Sequence, residues 1–391
     1  MAKNNLVILF VDDDTNLIQG LKRLLYSMRK EWEMYFCDNV EEALNVLENK
    51  SVDIIVSDMR MPIMDGAALL KLVKERYPQV IRIILSGYSG QEMSIKASGL
   101  AHRFLAKPAT ADTIKNTISG ISSLRELVKN PKLLRLVSGV TKLPSLPQLY
   151  IDLETEISSQ SPSLKKIGDL ISRDISMTVK LLQLVNSAFF GLPQNISDPI
   201  QALNFLGLEV VKSLVLLVKI FSSLDKNSYF NINSFMAHSM KVGKSAKEIM
   251  RLQNFSVKIQ EETFIAGILH DLGKLVLLQI PHYFENVTGI EDAENIDFYS
   301  AEYKMYGTSH AEIGAYVLGL WGLPSYLVNI LNYHHLPSQS NTTKFSSLSA
   351  IHIANYVFSN SKLDSEYISA IGYKSKIDNI IKEVKIYGEK L

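Results

Sequence analysis

Cysteine is almost missing: Cys37 stands alone among 391 residues, which excludes an intramolecular disulfide and a cysteine-based zinc site. An excess of charge of either sign is missing too. Forty-one Lys plus Arg against 40 Asp plus Glu leave a formal +1, which gives no overall pull toward nucleic acid or an anionic membrane. Long apolar runs are scarce. The stretch Leu214 to Phe221 is interrupted by Lys219 and falls short of the about 20 apolar residues that a bilayer requires. The opening MAKNNLVILFVDDD meets three aspartates with no small-residue cleavage site, so it reads as a buried strand rather than a signal peptide, and a cytoplasmic location is expected. What is present is an ordinary globular composition, 47% hydrophobic and 21% charged. At roughly 100–200 residues per domain, the length predicts two or three domains.

Residues 6–11 (LVILFV), 53–57 (DIIVS) and 80–85 (VIRIIL) are short β-branched runs, separated by helical apolar spacing such as Leu17, Leu21, Leu24 and Leu25. Weaker strands are predicted at Met34 to Cys37 and Arg103 to Ala106. The alternation predicts five strands and five helices in a parallel α/β sheet, with chemistry at the carboxyl ends of the strands. From about Ile114 the strand signals fade. Leu124, Val128, Leu133, Leu134 and Leu136 then predict a helix leaving the first domain, broken at Asn130-Pro131. Beyond residue 147 the periodicity is helical, over Ile167 to Val185, Pro199 to Leu206, Val210 to Leu224, Met236 to Leu252, Glu262 to Leu278, His310 to Leu320 and Tyr326 to His334.

Asp12, Asp13 and Asp14 follow the first strand, Asp58 closes the third, Ser86 the fourth and Lys107-Pro108 the fifth. Carboxylates gathered at one sheet edge repel one another, and a hard divalent cation such as Mg²⁺ relieves that repulsion. Asp58 beside such a cation is a candidate nucleophile forming an aspartyl phosphate, with Lys107 pairing another oxygen. Taken singly, Asp12 to Asp14 also fit a helix N-cap.

With FVDDD at 10–14, SDMRMPIMDG at 57–66, LSG at 85–87 and FLAKP at 104–108, residues 5–120 resemble the receiver domain of two-component response regulators. The resemblance implies Asp58 as phosphoacceptor, and Asp13, Asp58 and the backbone carbonyl of Arg60 as Mg²⁺ ligands, with Asp12 holding a metal-bound water. It also implies Ser86 as the hydroxyl that moves toward the phosphoryl group, Lys107 as its cationic partner and Phe104 as the switch aromatic.

A second constellation lies in the helical half. His270-Asp271 is followed by Leu272-Gly273-Lys274, preceded by His238, and followed by His310 and His334-His335, so a divalent-metal nest must be weighed against buried histidines bonded across helices. The pattern H…HDxGK…HxEIG…HH resembles HD-superfamily phosphohydrolases, including the HD-GYP cyclic-di-GMP phosphodiesterases. LPSQSNTTKFSS follows His335 without a Gly-Tyr-Pro signature, and Asn355 stands where those enzymes place their final Asp ligand. An amide is a weaker ligand for a hard metal. By contrast LPSLPQL (143–149), ISRDI (171–175), LLQLVNSAFFG (181–191), GILHDLGKLVL and HAEIGAYVLGLWGLP resemble the HDOD domain, an HD-related output module. Ile175 follows Asp174 where that family commonly has Pro, and a local helix start is expected there.

These readings give a multidomain chain: a flavodoxin-like (βα)5 receiver over 1–122, a helical linker over 123–141, and an all-α HD-like module over 142–391. The expected function is a phosphorelay response regulator. Its expected partners are a histidine kinase or phosphotransfer protein, a downstream protein of unknown identity, and a second copy of itself in a homodimer, with neither membrane nor nucleic acid among them. Mg²⁺ is expected in the receiver, no metal at the degenerate HD site (His238, His270, Asp271, His310, His334, His335, Asn355), and no enzyme activity. The alternatives are an HD-type phosphohydrolase acting on a nucleotide or cyclic dinucleotide, and a nucleotide-binding sensor without turnover.

Overall fold

The β-branched runs pair into one parallel sheet, with β1 (Leu6–Val11), β2 (Trp32–Cys37), β3 (Ile54–Asp58), β4 (Ile81–Ser86) and β5 (Arg103–Ala106) in the order β2-β1-β3-β4-β5. The computed structural model describes residues 5–62, 64–86, 100–125, 127–128, 133, 137, 152–153, 155–157, 159, 161–186, 195–207 and 230–389. Around the sheet lie α1 (Thr15–Leu24), α2 (Val40–Asn49), α3 (Gly66–Arg76) and α4 (Ala111–Arg125). β3 is buried throughout because it has apolar cover on both faces. Leu9, Val11 and Ile55 pack with Leu69, Leu70 and Val73 of α3, while Ile8, Phe10, Ile54 and Val56 belong to a core shared with Ile114, Ile118 and Ile121 of α4. The register sets Val11 opposite Ser57, Asp58 opposite Leu85 and Ser86 opposite Ala106, so four strands end along one edge.

Among the described residues that follow, the elements are helices: α5 (Leu164–Ile171), α6 (Ile175–Val185), α7 (Pro199–Leu206), α8 (Ile232–Leu252), α9 (Val257–Leu269), α10 (Leu272–Leu277), α11 (Tyr283–Glu294), α12 (Phe298–Tyr306), α13 (His310–Leu320), α14 (Ser325–Tyr333), α15 (Ser347–Phe358), α16 (Ser365–Ala370) and α17 (Ile377–Gly388). Two long helices read from periodicity are each two helices. The stretch Ile167 to Val185 breaks at Ser172–Asp174, where the buried Asp174 carboxylate accepts from the Met177 N–H at 3.0 Å and starts α6 at Ile175, the start expected there. The stretch Glu262 to Leu278 breaks at His270–Asp271, so this pair sits at a helix junction rather than within a helix.

Just after the second break the chain makes a close helix crossing. A Cβ on Gly273 would lie 1.9 Å from the His310 carbonyl oxygen, so α10 crosses α13 backbone to backbone and Asp271 is delivered beside His310. Among the described residues no helix is long and apolar enough to cross a membrane. The segments Val210 to Leu224, LPSLPQL (143–149) and residues 187–194 lie outside the described residues, as does most of the linker, although Leu133 and Val137 are helical and buried.

Candidate functional sites

At the sheet edge Asp12 and Asp58 are both buried, and Lys107 bridges them, its Nζ 2.6 Å from Asp12 Oδ2 and 2.5 Å from Asp58 Oδ1. The remaining oxygens are bound by backbone: Asp12 Oδ1 accepts from Asp14 N–H at 3.1 Å, and Asp58 Oδ2 from Arg60 N–H at 2.8 Å. Burial lifts the Asp12 carboxyl above its ordinary value despite the nearby ammonium. Burial alone would lower Lys107, but its hydrogen bonds to Asp12 and Asp58 raise it.

The three aspartates have separate places. Asp14 caps α1, accepting from Asn16 and Leu17 N–H, while exposed Asp13 joins Asp12 and Asp58 with carboxylate oxygens within 4.8 Å of one another. This all-oxygen set fits a hard divalent cation. Arg60 is exposed beside it. The side chains of Ser86 and Phe104 lie outside the described residues, although their backbones stand in β4 and β5.

The helical half brings His238 of α8, the His270–Asp271 junction, His310 at the start of α13, His334 and His335 after α14, and Asn355 of α15 to one place. Asp271 is the hub. Its Oδ2 is 2.7 Å from Lys274 Nζ, 3.4 Å from His270 Nε2 and 3.8 Å from His238 Nε2, and its Oδ1 is 3.0 Å from His310 Nε2 and 3.8 Å from His334 Nε2. Burial alone would raise Asp271, yet His270, Lys274 and His310 hold it well below the usual carboxylate range.

The opposite ring nitrogens are engaged: His270 Nδ1 meets Gly267 O and His334 Nδ1 meets Leu331 O, both at 2.7 Å. Bonding to a carbonyl makes each Nδ1 the protonated nitrogen and leaves Nε2 as a lone pair facing inward. His270 Nε2 and His334 Nε2 are buried without a hydrogen-bond partner, an arrangement that is costly unless something fills it. Two groups, Asp271 with His310, His334 and His335, and His238 with His270 and Asp271, each bring their donor atoms within 4.8 Å of one another. Asn355 hydrogen-bonds His238, whose pKa burial pushes down to about 4.

Glu302 was not legible as a site residue. Wholly buried, it accepts from the Tyr283 hydroxyl, sits 2.5 Å from His310 Nδ1, and takes the His310 N–H at 3.1 Å. A carboxylate behind a histidine orients the ring and raises the basicity of its other nitrogen. Only its place eight residues before His310 signals this role, and that offset carries no helical periodicity because a turn intervenes. A cavity of about 180 Å³ lined by Lys274, Phe298, Tyr299, His310, His335 and Asn355 opens onto the cluster.

Comparison with known proteins gives a match to the response regulator receiver domain over residues 8–119 and to the HDOD domain over 143–337. An uncharacterized protein of Treponema pallidum (strain Nichols) is 28% identical over 204 residues, 51% of this chain and 39% of that one. The DNA-binding transcriptional regulator NtrC of Escherichia coli K12 is 27% identical over 177 residues, 45% of this chain and 34% of that one. The chain therefore spans less than half the length of these curated relatives. The crystal structure of the MmoQ response regulator from Methylococcus capsulatus str. Bath is 19% identical with a TM-score of 0.46, covering 61% of this chain and 98% of that one. The sheet order, the carboxylate edge and the two domain matches together place the chain among response regulators that join a receiver domain to an HDOD domain.

Proposed function

We propose that the chain works in a phosphorelay in which Asp58 accepts a phosphoryl group from a histidine kinase or phosphotransfer partner and the change passes to a non-catalytic HDOD module. The observation that carries this reading is Lys107 bridging Asp12 and Asp58 at the strand ends. Asp58 Oδ1 attacks phosphorus, the P–N bond to the donor imidazole breaks, and Lys107 follows the oxygen charge that appears. A divalent cation held by Asp12, Asp13 and Asp58 supplies further neutralisation of the phosphoryl oxygens. Incubation with acetyl phosphate and Mg²⁺ is expected to add one phosphoryl mass to the wild type and none to Asp58→Asn. Equal labelling of both removes Asp58 from the role.

A second reading is favoured by the unpartnered Nε2 atoms of His270 and His334: the histidine cluster holds a transition metal, which reopens the hydrolase alternative. Three imidazoles and a carboxylate are a donor set suited to Zn²⁺, Fe²⁺ or Mn²⁺. Metal analysis of protein purified without chelator, beside a variant with both His270→Ala and Asp271→Ala and with Asp58 intact, decides it. Stoichiometric metal in the wild type and none in the variant supports this reading, and nucleotide turnover is then assayed. Metal-free wild type leaves the HDOD module non-catalytic.

A further inference from the structure

The receiver and the helical module meet at the end of α13. Arg103, the first residue of β5, reaches across and donates from Nε to Leu320 O at 3.2 Å and from Nη2 to Gly319 O. These are terminal carbonyls of α13, where the helix dipole favours a cation. Beside this contact Leu124 of α4 packs on Gly319 so closely that a Cβ there would lie 2.5 Å from Leu124 Cδ2.

The two ends of this connection reach the two candidate sites. β5 pairs only with β4, at the edge of the sheet, and runs directly into Lys107, which holds Asp12 and Asp58. α13 begins at His310, whose Nε2 lies 3.0 Å from Asp271, and all its residues but Glu312 are buried, so it moves as one rod about 16 Å long. The contact is poised to open. Among the described residues no carboxylate pairs with Arg103 and the bonds to its guanidinium run to carbonyls, for which water offers a comparable shell on release.

We propose that Arg103 and the last turn of α13 form a clasp that is closed in the unmodified chain and opened by phosphorylation of Asp58, displacing the His310 end of the same helix. This rests on Asp58 being the phosphoacceptor. When Asp58 Oδ1 carries a phosphoryl group, Lys107 can no longer hold that oxygen at 2.5 Å as it does now, and β5, which begins at Arg103 and leads directly into Lys107, must adjust.

The test uses the full chain carrying Leu124→Cys and Gly319→Cys, since the one native thiol, Cys37, is buried. The pair is compatible: shortening Leu124 removes the methyls that a Cβ at 319 would strike, and Leu124 Cγ lies 3.1 Å from that Cβ, within disulfide reach. The disulfide is expected to form readily in the unmodified protein, and beryllofluoride with Mg²⁺ is expected to slow it about tenfold, as is Arg103→Ala without beryllofluoride. In the wild type, amide exchange over residues 318–323 is expected to rise with beryllofluoride, a readout that does not depend on the cysteine pair folding. Unchanged cross-linking or exchange while beryllofluoride blocks acetyl phosphate labelling of Asp58 overturns the clasp and leaves the phosphoacceptor standing. Beryllofluoride that fails to block labelling overturns the Asp58 reading and the clasp's control with it.

Discussion

Asp271 and the imidazoles around it form a buried titratable cluster that couples folding to pH. Burial first depresses His238, His270, His334 and His335, with neighbouring imidazoles next for His238, His334 and His335 and Lys274 next for His270, so the fold favours their neutral forms. A histidine depressed in the fold contributes full stability above its unfolded value of about 6.5, and that stability is lost as pH falls through the folded value. For His238 the window runs from about 6.5 down to about 4, with a loss of roughly 3 kcal/mol at most. Urea midpoints taken between pH 7 and pH 4 are expected to fall, and to fall less in His238→Gln; parallel curves for the two proteins would contradict this. His310 goes the other way. Burial alone would lower it, but Glu302 and Asp271 raise it, so its contribution is present below about 6.5 and fades as pH rises through its folded value. Glu302→Gln removes the carboxylate behind His310 Nδ1 and is expected to cost about 1–3 kcal/mol of unfolding free energy by urea titration.

At the scale of elements, the crossing of α10 over α13 places the cluster. Gly273→Ala puts a methyl where the His310 carbonyl already is, and a loss of about 3 kcal/mol is expected in urea unfolding. A change under 0.5 kcal/mol, the level of an indifferent surface site, would show that the crossing has slack. Strands were read to within about two residues at each end because β-branched runs bounded by polar residues leave little choice of register. The helix break at His270–Asp271 was not visible, because apolar spacing continues on both sides of it, whereas the helix start at Ile175 was expected from the sequence. At both breaks a buried carboxylate interrupts the run; Asp174 is satisfied locally by the Met177 N–H, whereas His310 and His334 reach Asp271 through tertiary packing. Helices α11 and α12 passed unremarked because their aromatic residues, Tyr283, Phe284 and Phe298, form a mutual cluster instead of one clean stripe.

For the whole molecule, one apolar core runs without interruption from the α4 face of the sheet into the helical module. Two domains sharing a core unfold together, so a single calorimetric transition is expected for the unmodified chain. Arg103→Ala is expected to split it into two, and two transitions already present in the wild type would mean that the shared core is too weak to couple them.

The sequence by itself determined the parallel sheet, the carboxylate edge with Lys107, the helical second half and the residues of the histidine cluster, since each follows from local periodicity or short motifs. Tertiary structure decided what each of them does there. It set Asp14 apart as a helix cap, turned His270–Asp271 into a junction, brought Glu302 behind His310 and joined Arg103 to a helix end more than 200 residues away. Those outcomes depend on which buried polar atoms find partners across the chain, and that pairing exists only once the backbone has closed around it.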